Sequence, residues 1–130
     1  MASGSYPGRV GVDLVDVAEF RAEFMSREDV LTTMFTERES AYCRASADPA
    51  QSFAARWAAK EGVVKAFGTG WVDEIDYTDI EIVNDENGAP QIVIRGGASD
   101  FCERNGVKRL EVSLSHLPNL AISMVSICCC

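Results

Sequence analysis

The sequence has no surplus of positive charge. Twelve Lys and Arg stand against twenty Asp and Glu, giving a formal net charge of -8. A surface of that sign repels phosphate backbones, which excludes nucleic acid as a non-specific partner. A local basic pocket for a small phosphate ligand remains compatible with an acidic whole. Cysteines at zinc-site spacing are missing too. Cys43, Cys102, Cys128, Cys129 and Cys130 are odd in number and contain no Cys-x-x-Cys, which argues against zinc and against a disulfide framework. The last three read as a frayed, oxidisable tail, because a prenylation box needs its cysteine four from the end and Ile127 stands there. No apolar run is long enough to cross a bilayer, and "MASGSYPGR" lacks the apolar core of a secretory signal. The expectation is a cytoplasmic protein with no membrane partner. Repeats and low-complexity linkers are absent, so residues 1–130 read as one domain, with residues 1–8 and 127–130 as flexible tails. The single histidine, His116, leaves no second one for a metal site, and no Ser-His-Asp order supports a nucleophilic triad.

What is present is an ordinary globular composition, 47% hydrophobic and 25% charged, on a chain long enough to bury a core. "RVGVDLVDV" alternates and is β-branched, which predicts a first strand. "AEFRAEFMS" has helical character. Thr36 with Glu39 three residues on forms a capping-box pattern. Asp48, Pro49 and Gln51 set N-cap, N1 and N3 chemistry for a long helix from about Pro49 to Phe67, with Gly68 as its stop. Two Ile-rich runs around Asn87-Gly88 predict a hairpin. "SDFCERNG" predicts a short helix ending at Gly106, and "RLEVSLSH" and "LAISMVSI" a strand pair around Leu117-Pro118-Asn119. The predicted order is β, α, α, α, β, β, α, β, β. That order places the chain in the α+β class: a mainly antiparallel sheet with one long helix and shorter ones.

The long helix carries the question of function. At about 100° per residue, Arg56 and Lys60 fall among its bulky apolar groups, at roughly -100° and -60° from Trp57. Glu61 falls beside Trp57 at roughly +40°, and Lys65 among the alanines at roughly +80°. The helix therefore has no ordinary wet side, and each charge needs a partner or a ligand. The plainer alternative is an i,i+4 surface pair of Glu61 with Lys65, with long side chains reaching to water. Elsewhere, Asp13 in "GVDLV" either ends the strand as a turn residue or supplies a hard oxygen ligand. Magnesium takes one or two carboxylates and fills its other positions with water and phosphate, a pattern that Asp13 and Glu61 together would suit. His116 closes "SLSH" either as a satisfied structural histidine or as a donor to a phosphate or ribose. "GTG" at Gly68–Gly70 is a helix stop before it is a phosphate cradle, since a helix C-terminus has the wrong dipole for an anion.

Taken in order, "GVDLVDV", "FTERESAY", "FAARWAAKEGVVKAFGTG", "DIEIVNDENGAP" and "VSLSH" resemble the bacterial holo-[acyl-carrier-protein] synthases, the small trimeric 4′-phosphopantetheinyl transferases. The resemblance runs from about Val10 to Val125. It implies transfer of the 4′-phosphopantetheine arm of coenzyme A to a serine of apo acyl carrier protein in fatty acid biosynthesis, with release of adenosine 3′,5′-bisphosphate and dependence on Mg²⁺. It implies catalytic roles for Asp13, Glu61 and Lys65. Asp13 and Glu61 would hold the metal, Lys65 would contact the phosphates, and Glu61, directly or through a bound water, would take the serine proton. Arg56, Lys60, Lys65, Gly68, Gly88, Pro90, Ser115 and His116 would bind coenzyme A. It further implies a homotrimer with each active site between two subunits. In such enzymes the first helix commonly carries a basic residue for the acidic carrier. Here Glu19 takes that register, and a basic patch would have to come from Arg21, Arg27 and Arg44. Two alternatives stand beside the transferase: a non-catalytic coenzyme-A-binding relative, and a Mg²⁺-dependent nucleotide pyrophosphohydrolase.

Overall fold

Alternating valines and leucines make the first strand, β1 (Arg9–Asp16), and Asp16 then turns the chain by accepting the Glu19 amide as the N-cap of α1 (Val17–Phe24). Two short helices follow, α2 (Glu28–Met34) and α3 (Glu37–Arg44). At α3 the capping box is complete: Thr36 and Glu39 each bond the other's backbone. Asp48 caps the long helix α4 (Pro49–Phe67), and Gly68 ends it in the left-handed region at φ 82°. The hairpin of β2 (Ile80–Asn84) and β3 (Pro90–Ile94) comes next, then α5 (Gly96–Asn105), β4 (Arg109–Leu117) and β5 (Leu120–Cys128). This computed structural model describes residues 9–129.

The α+β class holds, with two differences in detail. The antiparallel strands form two sheets, β1-β5-β4 and β2-β3. The helix α2 was not foreseen. Its N-cap position, Arg27, makes no side-chain cap bond, and Thr32 and Thr33 carry low helix propensity. Leu31 and Met34, both buried, hold it to the core instead. Residues 127 and 128 are also not tail: β5 pairs through Cys128, and Ile127 is 1% exposed. The tail expected over residues 1–8 and at Cys130 lies outside the described residues.

α4 is the spine of the molecule. It crosses the inner face of the three-stranded sheet against β1 and β5. Its first half packs Phe53 and Ala54 with Val17, Phe20, Leu31 and Phe35. Its second half packs Val63, Val64 and Phe67 with Ile80, Ile82, Phe101 and Ile127. The approach of α4 to the sheet depends on two glycines, Gly62 where a Cβ would lie 2.7 Å from Ser123 Oγ of β5, and Gly11 on β1. A Cβ on Gly11 would lie 2.1 Å from the Gly62 carbonyl oxygen and 2.6 Å from the Ala66 amide nitrogen. This contact brings Asp13, two residues along β1, against the side chains of α4.

Candidate functional site

The two flanks of α4 carry different chemistry. On the β1 flank, Lys65 Nζ donates to Asp13 Oδ1 at 2.7 Å and to the Val12 carbonyl at 3.1 Å. Lys65 is half exposed, while the Asp13 side chain is only 12% exposed. Glu61, one turn before Lys65, opens with Asp13 into a cavity of about 230 Å³ that Asp16, Glu19, Glu23 and Trp57 also line. Burial pushes the Glu61 carboxyl above its ordinary value, and the charge of Asp13 adds to the push. Trp71 and Lys65 pull it partway back. Two carboxylates that repel across one cavity, beside a movable ammonium, are a donor set for a hard divalent cation. Among the described residues no group of three or more His, Cys, Asp or Glu could hold a metal by itself. The pair therefore fits Mg²⁺, which keeps water and takes phosphate oxygens in its remaining positions, rather than a closed structural site.

On the opposite flank, Arg56 is 4% exposed and lies over the Tyr42 ring at 3.9 Å. Its guanidinium donates to Asn84 Oδ1, and the Asn84 amide donates to the Gly88 carbonyl at 2.8 Å. Gly88 holds the hairpin turn at φ 84°, a conformation that glycine permits. Arg56, Gly88, Pro90 and His116 line a second cavity of about 380 Å³, together with Tyr42, Gln51 and Asn84. Arg56 Nε is buried and has no partner there. A cavity with a buried, partly unsatisfied guanidinium and an aromatic wall, Asp48 also among its lining, is suited to a phosphorylated nucleoside.

Three expectations are corrected. Lys60 does not face a ligand. It is fully buried, ion-paired to Glu39 at 2.9 Å, and donates to the carbonyls of Tyr77 and Ile80. Burial holds its ammonium below the usual range even so. Ser115 alternates to the face opposite Leu114 and His116 and stands on the outer side of the sheet, away from the cavity. Gly68 ends α4 and lines neither cavity: the Arg9 guanidinium stands in the space above it, 2.6 Å from where a Cβ would lie. Of the supposed basic patch, Arg21 pairs with Asp48 and Arg44 with Glu28, while Glu19 lines the acidic cavity. Tyr42 and Asn84 were not singled out from the sequence. Tyr42 ends the "FTERESAY" stretch and Asn84 ends β2, but only the fold shows both meeting Arg56.

Residues 9–125 match the model of the 4′-phosphopantetheinyl transferase superfamily. The chain is 39% identical over 117 residues to the holo-[acyl-carrier-protein] synthase of Geotalea daltonii, covering 88% of this chain and 93% of that protein. Its fold superposes on the holo-[acyl-carrier-protein] synthase of Neisseria meningitidis with a TM-score of 0.83 at 24% identity, covering 92% and 96% of the two chains. The ACPS–CoA complex of Chronobacterium ammoniagenes matches with a TM-score of 0.81 at 26% identity, covering 95% and 98%.

Proposed function

The chain belongs to the 4′-phosphopantetheinyl transferase superfamily, and we propose that it works as a holo-[acyl-carrier-protein] synthase. It transfers the 4′-phosphopantetheine group of coenzyme A to a serine of apo acyl carrier protein, releases adenosine 3′,5′-bisphosphate, and so serves fatty acid biosynthesis. The observation that carries the reading is the meeting of Asp13 and Glu61 at one cavity, with Lys65 bonded to Asp13 beside them, where the glycine contact brings β1 against α4.

Asp13 and Glu61 are the residues that would hold Mg²⁺. Bound there, Mg²⁺ supplies charge neutralisation for a diphosphate. Lys65 swings from Asp13 to the phosphates and stabilises the charge that develops on the leaving group. Glu61, its proton affinity raised by burial and by Asp13, accepts the proton of the carrier serine as that oxygen attacks phosphorus. The serine oxygen bonds to the pantetheine-side phosphorus, and the bond broken is the one from that phosphorus to the bridging oxygen, which departs with adenosine 3′,5′-bisphosphate. Phosphoryl transfer asks for positioning and charge more than covalent help, and these side chains provide both.

Arg56 and His116 hold the adenylate and its 3′-phosphate, with Gly88 and Pro90 along the same wall. These groups lie on the other flank of α4 from Glu61, so one chain carries the two halves of the site apart. We therefore propose a homotrimer in which the Arg56 flank of one subunit completes the Glu61 flank of the next. The outer face of the three-stranded sheet supports it. Val10, Val12, Leu14 and Met124 stand exposed there across paired strands, an apolar patch of the kind that subunits cover. The proposed setting is the cytoplasm.

The test is direct. Purified protein is incubated with coenzyme A, Mg²⁺ and an apo acyl carrier protein, and the carrier is weighed by mass spectrometry. A gain of one phosphopantetheine group, lost in Glu61→Ala and on chelation of Mg²⁺, is the expected result. No gain with any of several carriers would defeat the reading. Cleavage of coenzyme A without a carrier would favour a pyrophosphohydrolase instead.

A further inference from the structure

Tyr42 stands apart from the rest of α3. Glu39 and Cys43 of that helix are buried, whereas Tyr42 is 48% exposed. What fixes its ring is a cation. The Arg56 guanidinium lies over one face, 3.9 Å from the ring centre. Arg56 is almost fully buried, so little water competes for that contact. Asn84 accepts from the same guanidinium and donates to the Gly88 carbonyl, which ties the hairpin turn to it. With one face of the ring covered by Arg56, the exposed area belongs to the other face and the hydroxyl edge. Tyr42 lines the second cavity together with Gly88, Pro90 and His116. The turn leaves room there, because a Cβ on Gly88 would meet nothing within 4 Å.

We propose that Tyr42 is the base-binding residue of this chain: the purine of coenzyme A stacks on the open face of its ring, in three layers of guanidinium, phenol and base. The inference rests on the second cavity as the nucleotide half of the site. The chemistry suits a purine, whose flat π-surface matches the phenol ring. Stacking of one base on an aromatic side chain is worth about five- to a hundred-fold in affinity. The guanidinium beneath fixes the ring before the ligand arrives, so little order is lost on binding. Stacking reads the face of the base. Tyr42 therefore supplies affinity and places the ribose, and the phosphates are left to Arg56 and His116.

Two ligands separate this role from mere support of Arg56: adenosine 3′,5′-bisphosphate, and a counterpart with hydrogen in place of the base. Their dissociation constants are measured by calorimetry on the purified protein. Tyr42→Leu should weaken binding of the nucleotide by about five- to a hundred-fold and leave the base-free bisphosphate within about twofold of wild type. Tyr42→Phe, which keeps the ring, should match wild-type protein with both. The adenine H2 and H8 signals should move upfield on binding to wild-type and Tyr42→Phe protein, and much less with Tyr42→Leu. Equal weakening of both ligands would show that Tyr42 acts only through Arg56 and would overturn the proposal. An unchanged nucleotide constant in Tyr42→Leu would overturn it too. Either result leaves the transferase reading standing, because wild-type protein still binds the nucleotide. Wild-type protein that binds neither ligand would count against both.

Discussion

Glu81 and Lys60 show how the same residue types do different work at different depths. Burial pushes the Glu81 carboxyl up, but hydrogen bonds from Arg38, Thr36 and Arg95 outweigh it and hold it down to about 2. Its ordinary value is 4.5. The stabilisation is therefore whole above pH 4.5 and fades as pH falls toward 2. Both arginines are well exposed, so screening leaves about 1–2 kcal/mol. Urea midpoints measured from pH 5 to pH 2.5 should fall faster in wild-type protein than in Glu81→Gln. Lys60 is the charge that helical geometry flagged and the fold explains away. Its partner Glu39 sits on α3, and no spacing within α4 could point to it. Lys60→Met should cost about 3–5 kcal/mol by stranding a buried carboxylate, while the KM for coenzyme A stays within about twofold. A large rise in KM with little loss of stability would return Lys60 to the ligand site.

At the scale of elements, the caps were the legible part. Asp48, Thr36 with Glu39, Gly68 and Gly106 each carry a local chemistry that fixes where a helix starts or stops, and the structure places all four as read. Local chemistry failed where an element is held by its neighbours alone. α2 has no side-chain cap and survives on Leu31 and Met34. The separation of the hairpin from the larger sheet is likewise a matter of packing. The site divides the same way. Asp13, Glu61, Arg56 and His116 stood out as charges or a histidine in unlikely surroundings. Tyr42 and Asn84 acquire meaning only from what lies across from them. The small face of α4 has a concrete use in the Gly11–Gly62 contact. Gly11→Ala would place a methyl group against backbone atoms of α4, which cannot yield as a side-chain tip can. It should cost about 1–3 kcal/mol or more and shift Asp13 away from Glu61. The expected signature is a lower melting temperature together with a raised Mg²⁺ requirement. A variant with wild-type values for both would show that the contact does not set the site.

At the scale of the whole molecule, the outer sheet face and the divided site make the same demand. An exposed stripe of Val12, Leu14 and Met124 is stable in water once another subunit covers it. Val12→Glu should yield a monomer by sedimentation equilibrium, still folded by circular dichroism, with most of its transfer activity lost. A folded, fully active monomer would contradict the proposed trimer. The central claim, that Glu61 of one subunit works with Arg56 and His116 of another, is tested most directly by mixing two defective proteins. Glu61→Gln and Arg56→Gln/His116→Ala should each fail to load a carrier. Unfolded and refolded together at equal amounts, they should regain activity, because one site in each mixed trimer, about a quarter of all sites, would then hold only intact residues. Mixed trimers that form and remain as inactive as either parent would contradict a site shared between subunits.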